Sequence, residues 1–169
     1  MSQLEDFRKA KDDYYAQDPN SPLTPEQRAN FRGLKYFPEI ASLRFEIEVP
    51  PFAEQKQVQL PTSTGDVKTY TRYGRFTFQV EGKQAQLTLF NSPHGFFLLF
   101  VDLLAGTETY GAGRYLEPQQ LSNGLFLVDF NYAYNPYCSY NEMWSCPIPP
   151  VENRLNVPIR AGEKIFGVH

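Results

Sequence analysis

Between Leu43 and Val101 apolar side chains recur at every second position in short runs separated by turn residues, a period that suits strands and not helices. Leu43, Phe45, Ile47 and Val49 alternate with Arg44, Glu46 and Glu48, and Pro50-Pro51 ends the run. Val58 to Leu60 supplies a second candidate strand. Ser63-Thr64-Gly65-Asp66 forms a turn into a third, Val67 to Tyr73, which Gly74 is expected to break. Phe76, Phe78 and Val80 alternate with Arg75, Thr77 and Gln79, and Glu81-Gly82-Lys83 returns the chain into Ala85, Leu87 and Leu89, the signature of a hairpin. Phe96 to Val101 is apolar without alternation, as for a strand buried on both faces. Strands this short and close, with no helix between them, predict an antiparallel sheet that curls into a β-barrel or sandwich: a mainly β fold with minor α.

The flanks read differently. Leu4, Phe7, Lys11 and Tyr14 fall at helical intervals among Glu5, Asp6, Lys9 and Asp12, so residues 1–16 form an amphipathic helix lying on the body as a lid or brace. Asp18-Pro19-Asn20-Ser21-Pro22 breaks it. Thr24-Pro25-Glu26-Gln27 then restarts a short helix, with Thr24 as N-cap and Gln27 closing a capping box. Beyond Val128 the prolines at 136, 147, 149, 150 and 158 exclude continuous helix or central strand, while the Tyr, Trp, Ile, Leu and Cys among them argue for order. The expected organisation is one domain of 169 residues: a helical segment over 1–37, a sheet over 43–130, and proline-rich ordered loops with a terminal strand over 131–169. A chain of this length buries roughly 70% of its unfolded surface, so folding requires neither metal nor disulfide.

Several functions are made improbable by what the chain carries. Sixteen basic against nineteen acidic residues leave a formal charge of -3, without the basic footprint of a nucleic-acid partner. The Met1-Ser2-Gln3-Leu4-Glu5-Asp6 start has no secretion-signal pattern, so a cytoplasmic location is expected. The longest apolar run, Gly95 to Leu104, contains Asp102 and is about half the ~20 residues a spanning helix needs, so no membrane partner is expected. Cys138 and Cys146 are the two cysteines and His94 and His169 the two histidines; their spacing makes no zinc site, and the cysteines read as idle thiols or as a short-loop redox pair.

The least ordinary stretch is Gly106 to Leu116, with Thr109-Tyr110-Gly111-Ala112-Gly113-Arg114-Tyr115 at its heart. It is followed by Asp129-Phe130-Asn131-Tyr132-Ala133-Tyr134-Asn135-Pro136, Cys146-Pro147-Ile148-Pro149-Pro150, Glu152-Asn153-Arg154-Leu155 and Ala161-Gly162-Glu163-Lys164. These five blocks, in this order, resemble the signature of the domain of unknown function 1684 family of bacterial and archaeal proteins. The likeness extends to Ser21-Pro22-Leu23, Phe31-Arg32-Gly33-Leu34 and Thr62-Ser63-Thr64-Gly65 and so covers nearly the whole chain. The resemblance implies no reaction, substrate or cofactor. One departure is visible: the family pattern has an Asp and a Thr-containing turn before the first block, whereas Asp102-Leu103-Leu104-Ala105-Gly106 is apolar after its aspartate.

Read as chemistry, the planar fork of Arg114 suits a carboxylate or phosphate, and Gly111 and Gly113 let backbone come close beside it. The other reading of Arg114 is a buried ion pair with Asp129 or Glu152. Asp129, after the apolar Leu125 to Val128, is drawn out of water at a strand end, where a raised pKa would serve a general acid; alternatively it caps a turn. Glu152-Asn153-Arg154, after two prolines, sets a carboxylate, an amide and a guanidinium at one rim or in one internal clamp. A cysteine nucleophile would need His94 as its base, and nothing in the sequence pairs them.

These residues predict a pocket in the second-half loops for a small anionic or polar molecule. Asp129 and Glu152 would act as the acid–base pair of a hydrolase-like reaction, and Arg114, Tyr110, Asn131, Tyr134, Asn153 and Arg154 as ligand-binding groups, with no metal. The competing expectation is a non-catalytic structural or interaction domain whose polar blocks are internal clamps. A flavin or haem would have no dedicated motif, and the cofactor is left open.

Overall fold

The structure, a computed structural model, describes residues 2–166, so His169 lies outside the described residues. Helix α1 (Gln3–Gln17) starts at Ser2, whose hydroxyl accepts from the Glu5 N–H, and α2 (Pro25–Asn30) starts at Thr24 with the capping box complete in both directions. Eight strands follow: β1 (Arg44–Ile47), β2 (Gln57–Pro61), β3 (Val67–Val80), β4 (Lys83–Ser92), β5 (Gly95–Phe100), β6 (Arg114–Leu116), β7 (Gln119–Gln120) and β8 (Phe126–Asp129). They form a five-stranded sheet in the order β2-β3-β4-β5-β6 and a three-stranded sheet in the order β1-β8-β7, every pair antiparallel.

The two sheets are separate hydrogen-bonded units, so the strands do not close into a barrel. Prolines supply a reason. Beside the three-residue β6, Tyr134 pairs with Tyr115 through two backbone hydrogen bonds of 2.8 and 2.9 Å, but Pro136 follows and the pairing stops after one residue. Both sheets nevertheless feed one core. Phe76, Phe78, Leu87, Leu98 and Phe100 from the larger sheet meet Phe126 and Val128 from the smaller.

At Gly74 the expected break is absent, because β3 runs through it for 14 residues. The ladder to β4 shifts register between Arg72 and Gly74, which places a bulge there. The glycine's role is close approach: a Cβ at position 74 would lie 2.4 Å from the Pro50 carbonyl oxygen. The missing side chain admits the Pro50-Pro51-Phe52 segment, whose Phe52 N–H donates to the Tyr73 carbonyl at 2.8 Å. The hairpin turn at Glu81-Gly82 has positive φ at both residues, 51° and 82°, the twist that two-residue hairpins favour.

Beyond β8 the described residues contain only 3-10 turns, at Phe130–Tyr132, Tyr137–Ser139 and Val151–Asn153, and isolated bridges; the expected terminal strand does not form among them. Leu155, Val157, Pro158, Ile159 and Ala161 are nonetheless buried, while Arg154 before them and Asn156 and Arg160 between them are exposed. The tail packs into the core with alternating burial as far as Val157, where its backbone runs parallel to residues 101–103 through bonds such as Leu155 N–H to the Val101 carbonyl at 2.7 Å; the carbonyls of Ile159, Ala161 and Glu163 lie beyond that pairing. No helix among the described residues is long and apolar enough to cross a membrane.

Candidate functional site

Three carbonyls of that tail are paired by a side chain. Arg114 opens β6 and is 1% exposed, pointing inward. Its Nη1 donates to the carbonyls of Ala161 at 2.5 Å and Glu163 at 3.0 Å, and its Nη2 to Ile159 at 2.9 Å, so one guanidinium replaces three rungs of a ladder. Asp102 stands 3.7 Å from Nη2 and is itself held by the Thr109 hydroxyl at 2.7 Å and the Ile159 N–H at 2.8 Å. Thus Thr109, from within the first block, supplies a hydroxyl to Asp102 although residues 103–106 carry none. Burial brings the Arg114 pKa down to about 10, against the pull of Asp102 and Glu163, which leaves it charged at neutral pH. Gly113 permits the turn in: its φ is 101°, and a Cβ there would lie 2.5 Å from the Phe100 carbonyl. The partner of Arg114 is Asp102, not Asp129 or Glu152.

The remaining blocks are also occupied by the fold. Asp129 Oδ1 accepts from the backbone and side-chain N–H groups of Asn131 at 3.0 and 2.9 Å, and Arg44 lies 3.9 Å from its other oxygen. Asn131 in turn grips both backbone groups of Ile40, at 3.0 and 2.9 Å, fastening the segment before β1 to the end of β8. Asn153, fully buried, accepts from the Thr88 N–H and donates to the carbonyls of Thr88 and Leu99, joining the last 3-10 turn to β4 and β5. Glu152 receives Arg72 at 2.7 Å, Arg75 at 3.2 Å and the Thr88 hydroxyl at 2.6 Å. Burial alone would raise the Glu152 pKa, but the hydrogen bonds from Arg72 and Thr88 outweigh it and the net direction is down. Arg154 is exposed beside a separate hollow of about 320 Å³ lined by Gln84, Gln86 and Asn156. The structure therefore distributes Arg114, Asp129, Asn131, Glu152 and Arg154 over several local clamps and a surface position, and does not gather them around one cavity.

A cavity does exist elsewhere. Between α1 and the loop from Tyr134 to Pro147 lies an open cleft of about 620 Å³, with Lys11, Tyr15, Lys68, Tyr134, Trp144 and Cys146 among its walls. Helix α1 presents Phe7, Lys11, Tyr14 and Tyr15 to it at helical spacing, which is why Phe7 and Tyr14 remain 44% and 39% exposed on an otherwise braced helix. Tyr134 is the residue expected at a binding site that lines this cleft. Its hydroxyl donates to Glu117 on the rim, Lys11 sits 4.9 Å over its ring, and burial followed by the Glu117 charge raises its pKa. Such a phenol stays a neutral donor at physiological pH.

The two lysines differ. Lys11 is paired with Glu163, a buried carboxylate that also accepts from Tyr140 Oη at 3.1 Å and the Asn135 N–H at 2.9 Å. Lys68 Nζ donates to the Ser145 carbonyl at 3.2 Å and forms no ion pair within 4.0 Å among the described residues. Tyr110 lies behind the wall, its hydroxyl 3.8 Å from Cys138 Sγ, with its pKa pushed to about 12 by burial and then by the neighbouring sulfur. Lys11, Lys68, Glu117 and Trp144 were not among the expected site residues. The one trace of them in the sequence is the aromatic stripe with a lysine on the first helix.

The profile of the family described as Protein of unknown function (DUF1684) matches residues 29–164, a span that holds every clamp described above and leaves α1, the helical wall of the cleft, outside. None of the curated proteins matches the chain. Among solved structures, the solution NMR structure of an uncharacterised protein of Haloarcula marismortui is similar at 34% identity and a TM-score of 0.73, covering 99% of this chain and 95% of that one. The helix over the cleft is thus within the aligned length of a related structure. With the match running from before Gly33 to Lys164, the chain belongs to the DUF1684 family of proteins of unknown function.

Proposed function

We propose that this protein binds a small molecule with a flat, largely apolar body and one acidic group, in the cleft between α1 and the Tyr134–Pro147 loop. The observation that carries this reading is the composition of the walls: tyrosines and Trp144 line space that the chain leaves unfilled, and Lys68 stands at the same opening without an anionic partner among the described residues. Aromatic walls grip a planar body by stacking and edge contacts, and a cation at the mouth selects an acid over its neutral counterpart. On this reading Tyr115 and Tyr134 are kept neutral by burial and offer the ligand ring faces and edges, their hydroxyls already donating to the Pro147 carbonyl and to Glu117. The polar blocks frame the site. Asp129 and Glu152 take no catalytic part, since each carboxylate is already engaged by groups of the fold.

Trp144 is the sole tryptophan and lies on the wall, so its fluorescence reports occupancy directly. Titration with 2-naphthoate and with the matching 2-naphthamide is expected to give saturable quenching by the acid and at least tenfold weaker binding of the amide. Lys68→Ala should weaken the acid about tenfold, about 1.4 kcal/mol, and leave the amide unchanged. Equal affinity of acid and amide, or an acid affinity indifferent to Lys68→Ala, would overturn the proposal.

A further inference from the structure

The loop that forms one side of the cleft carries both cysteines of the chain, and the fold brings them together. The Cys138 N–H donates to Cys146 Sγ at 3.3 Å, so Cys146 sulfur lies against the backbone from which the Cys138 side chain springs. Tyr110 Oη stands 3.8 Å from Cys138 Sγ, and the Ser63 hydroxyl accepts from the Cys146 N–H at 3.1 Å, fixing the second strand of the loop. Cys146 faces the cleft, and Cys138, half-buried, packs in the same cluster as Tyr115 and Trp144. Seven residues separate the two cysteines, so little chain entropy opposes closure.

We propose that Cys138 and Cys146 form a peroxide-reactive dithiol, with Cys138 the attacking and Cys146 the resolving thiol. The Cys138 thiolate attacks the terminal oxygen of a hydroperoxide: the S–O bond forms, the O–O bond breaks, and the alcohol leaves after taking one proton. Cys146 sulfur then displaces hydroxide from the Cys138 sulfenic acid, with its thiol proton completing the water released. Overall two thiols and one hydroperoxide give one disulfide, one alcohol and one water, the two sulfurs losing the two electrons that the oxidant gains. A small thiol reverses the bond through a mixed disulfide.

The order of roles follows from the surroundings. Hydrogen bonds from Cys146 and then Tyr110 stabilise a thiolate at Cys138, lowering its pKa to about 6 although burial opposes this; the same contact with a Cys138 thiolate raises Cys146. The lower-pKa thiol reacts first, and the neutral neighbour waits. The dithiol is set by the loop geometry that brings the two cysteines together and is independent of what the cleft binds.

The test uses the full-length protein with a small excess of hydrogen peroxide at pH 7, counting thiols after denaturation and mapping the peptides. Expected is the loss of both thiols per chain, a Cys138–Cys146 crosslink within one chain, and full return with dithiothreitol. Cys146→Ser should instead accumulate a sulfenic acid at Cys138 that dimedone traps, whereas Cys138→Ser should lose no thiol in the same interval. If either variant misfolds, the wild-type protein still decides by the pH profile of iodoacetamide labelling, which should rise through about pH 6 for Cys138 and not near the ~8.5 of a free cysteine. Both thiols surviving the peroxide, a crosslink between chains, or a labelling midpoint near 8.5 would overturn the assignment.

Discussion

Arg114 and Lys68 are both cations on strands of the five-stranded sheet, set beside aromatic rings, yet the chain uses them in opposite ways. Around Arg114 three of the five N–H donors point at carbonyls the protein itself provides, because the segment from Ile159 to Glu163 is largely buried and those three carbonyls lie beyond the backbone pairing that ends at Val157. Around Lys68 the backbone is already paired by β2 and β3, one carbonyl takes one donor, and the aromatic walls beyond it face open space. The difference teaches that a cation in a glycine-rich motif is ambiguous until the backbone nearby is counted. Where carbonyls are orphaned, the cation closes the fold; where they are paired, its charge is left for a ligand.

The strongest way to break this comparison is to remove the clamp. Arg114→Ala leaves Asp102 charged and buried without its guanidinium, together with three carbonyls stripped of donors. A broken buried pair costs about 3–5 kcal/mol. For a chain of this size each kcal/mol is about 2–4 °C, so the melting temperature is expected to fall by roughly 6–20 °C. Adding Asp102→Asn should recover only part of the loss, since the carbonyls of Ile159, Ala161 and Glu163 remain unpaired in the double variant. Near-normal melting of Arg114→Ala would show that the tail does not depend on the clamp. Asn153→Ala comes next: it deletes three buried hydrogen bonds to Thr88 and Leu99 and is expected to cost about 2–3 kcal/mol by the same measurement.

Much of the scaffold was legible because it rests on local rules. The capping box at Thr24, the hairpin at Glu81-Gly82 and the alternating Phe76, Phe78 and Val80 each need only neighbours in sequence, and each appears where its pattern lies. Gly74 was misread as a break because its function is long-range: it makes room for Pro50, a contact invisible from either segment alone. The barrel failed to close for a similar reason, since closure depends on which edge meets which, and prolines veto pairing beside β6 only if the chain arrives there. At the site, polarity drew attention to Arg114, Asp129 and Glu152, while the cleft is mostly aromatic and is assembled from α1, β3 and a loop far apart in the chain. Aromatic residues in sequence look like core. Only packing shows that Tyr14, Tyr134 and Trp144 stop short of filling the space between them.

The smallest effect separates a solvent-facing clamp from a buried one. Glu152 has a folded-state pKa below its ordinary value, so its ionised form is favoured by folding through Arg72, Arg75 and Thr88. The resulting stabilisation is fully present above the unfolded-state pKa of about 4.3 and is lost as pH falls through the lower folded-state value. Glu152→Gln should therefore lie below the wild-type melting temperature at neutral pH by no more than about 4 °C, the ceiling for an ion pair open to water. The two curves should converge as pH is lowered from 5 to 3. Added salt should shrink the neutral-pH gap as well, because exposed charges are screened, whereas the deficit of Arg114→Ala should persist at the same ionic strength. A Glu152→Gln deficit that is large and indifferent to both pH and salt would place Glu152 in the same class as Arg114 and erase the distinction between clamps.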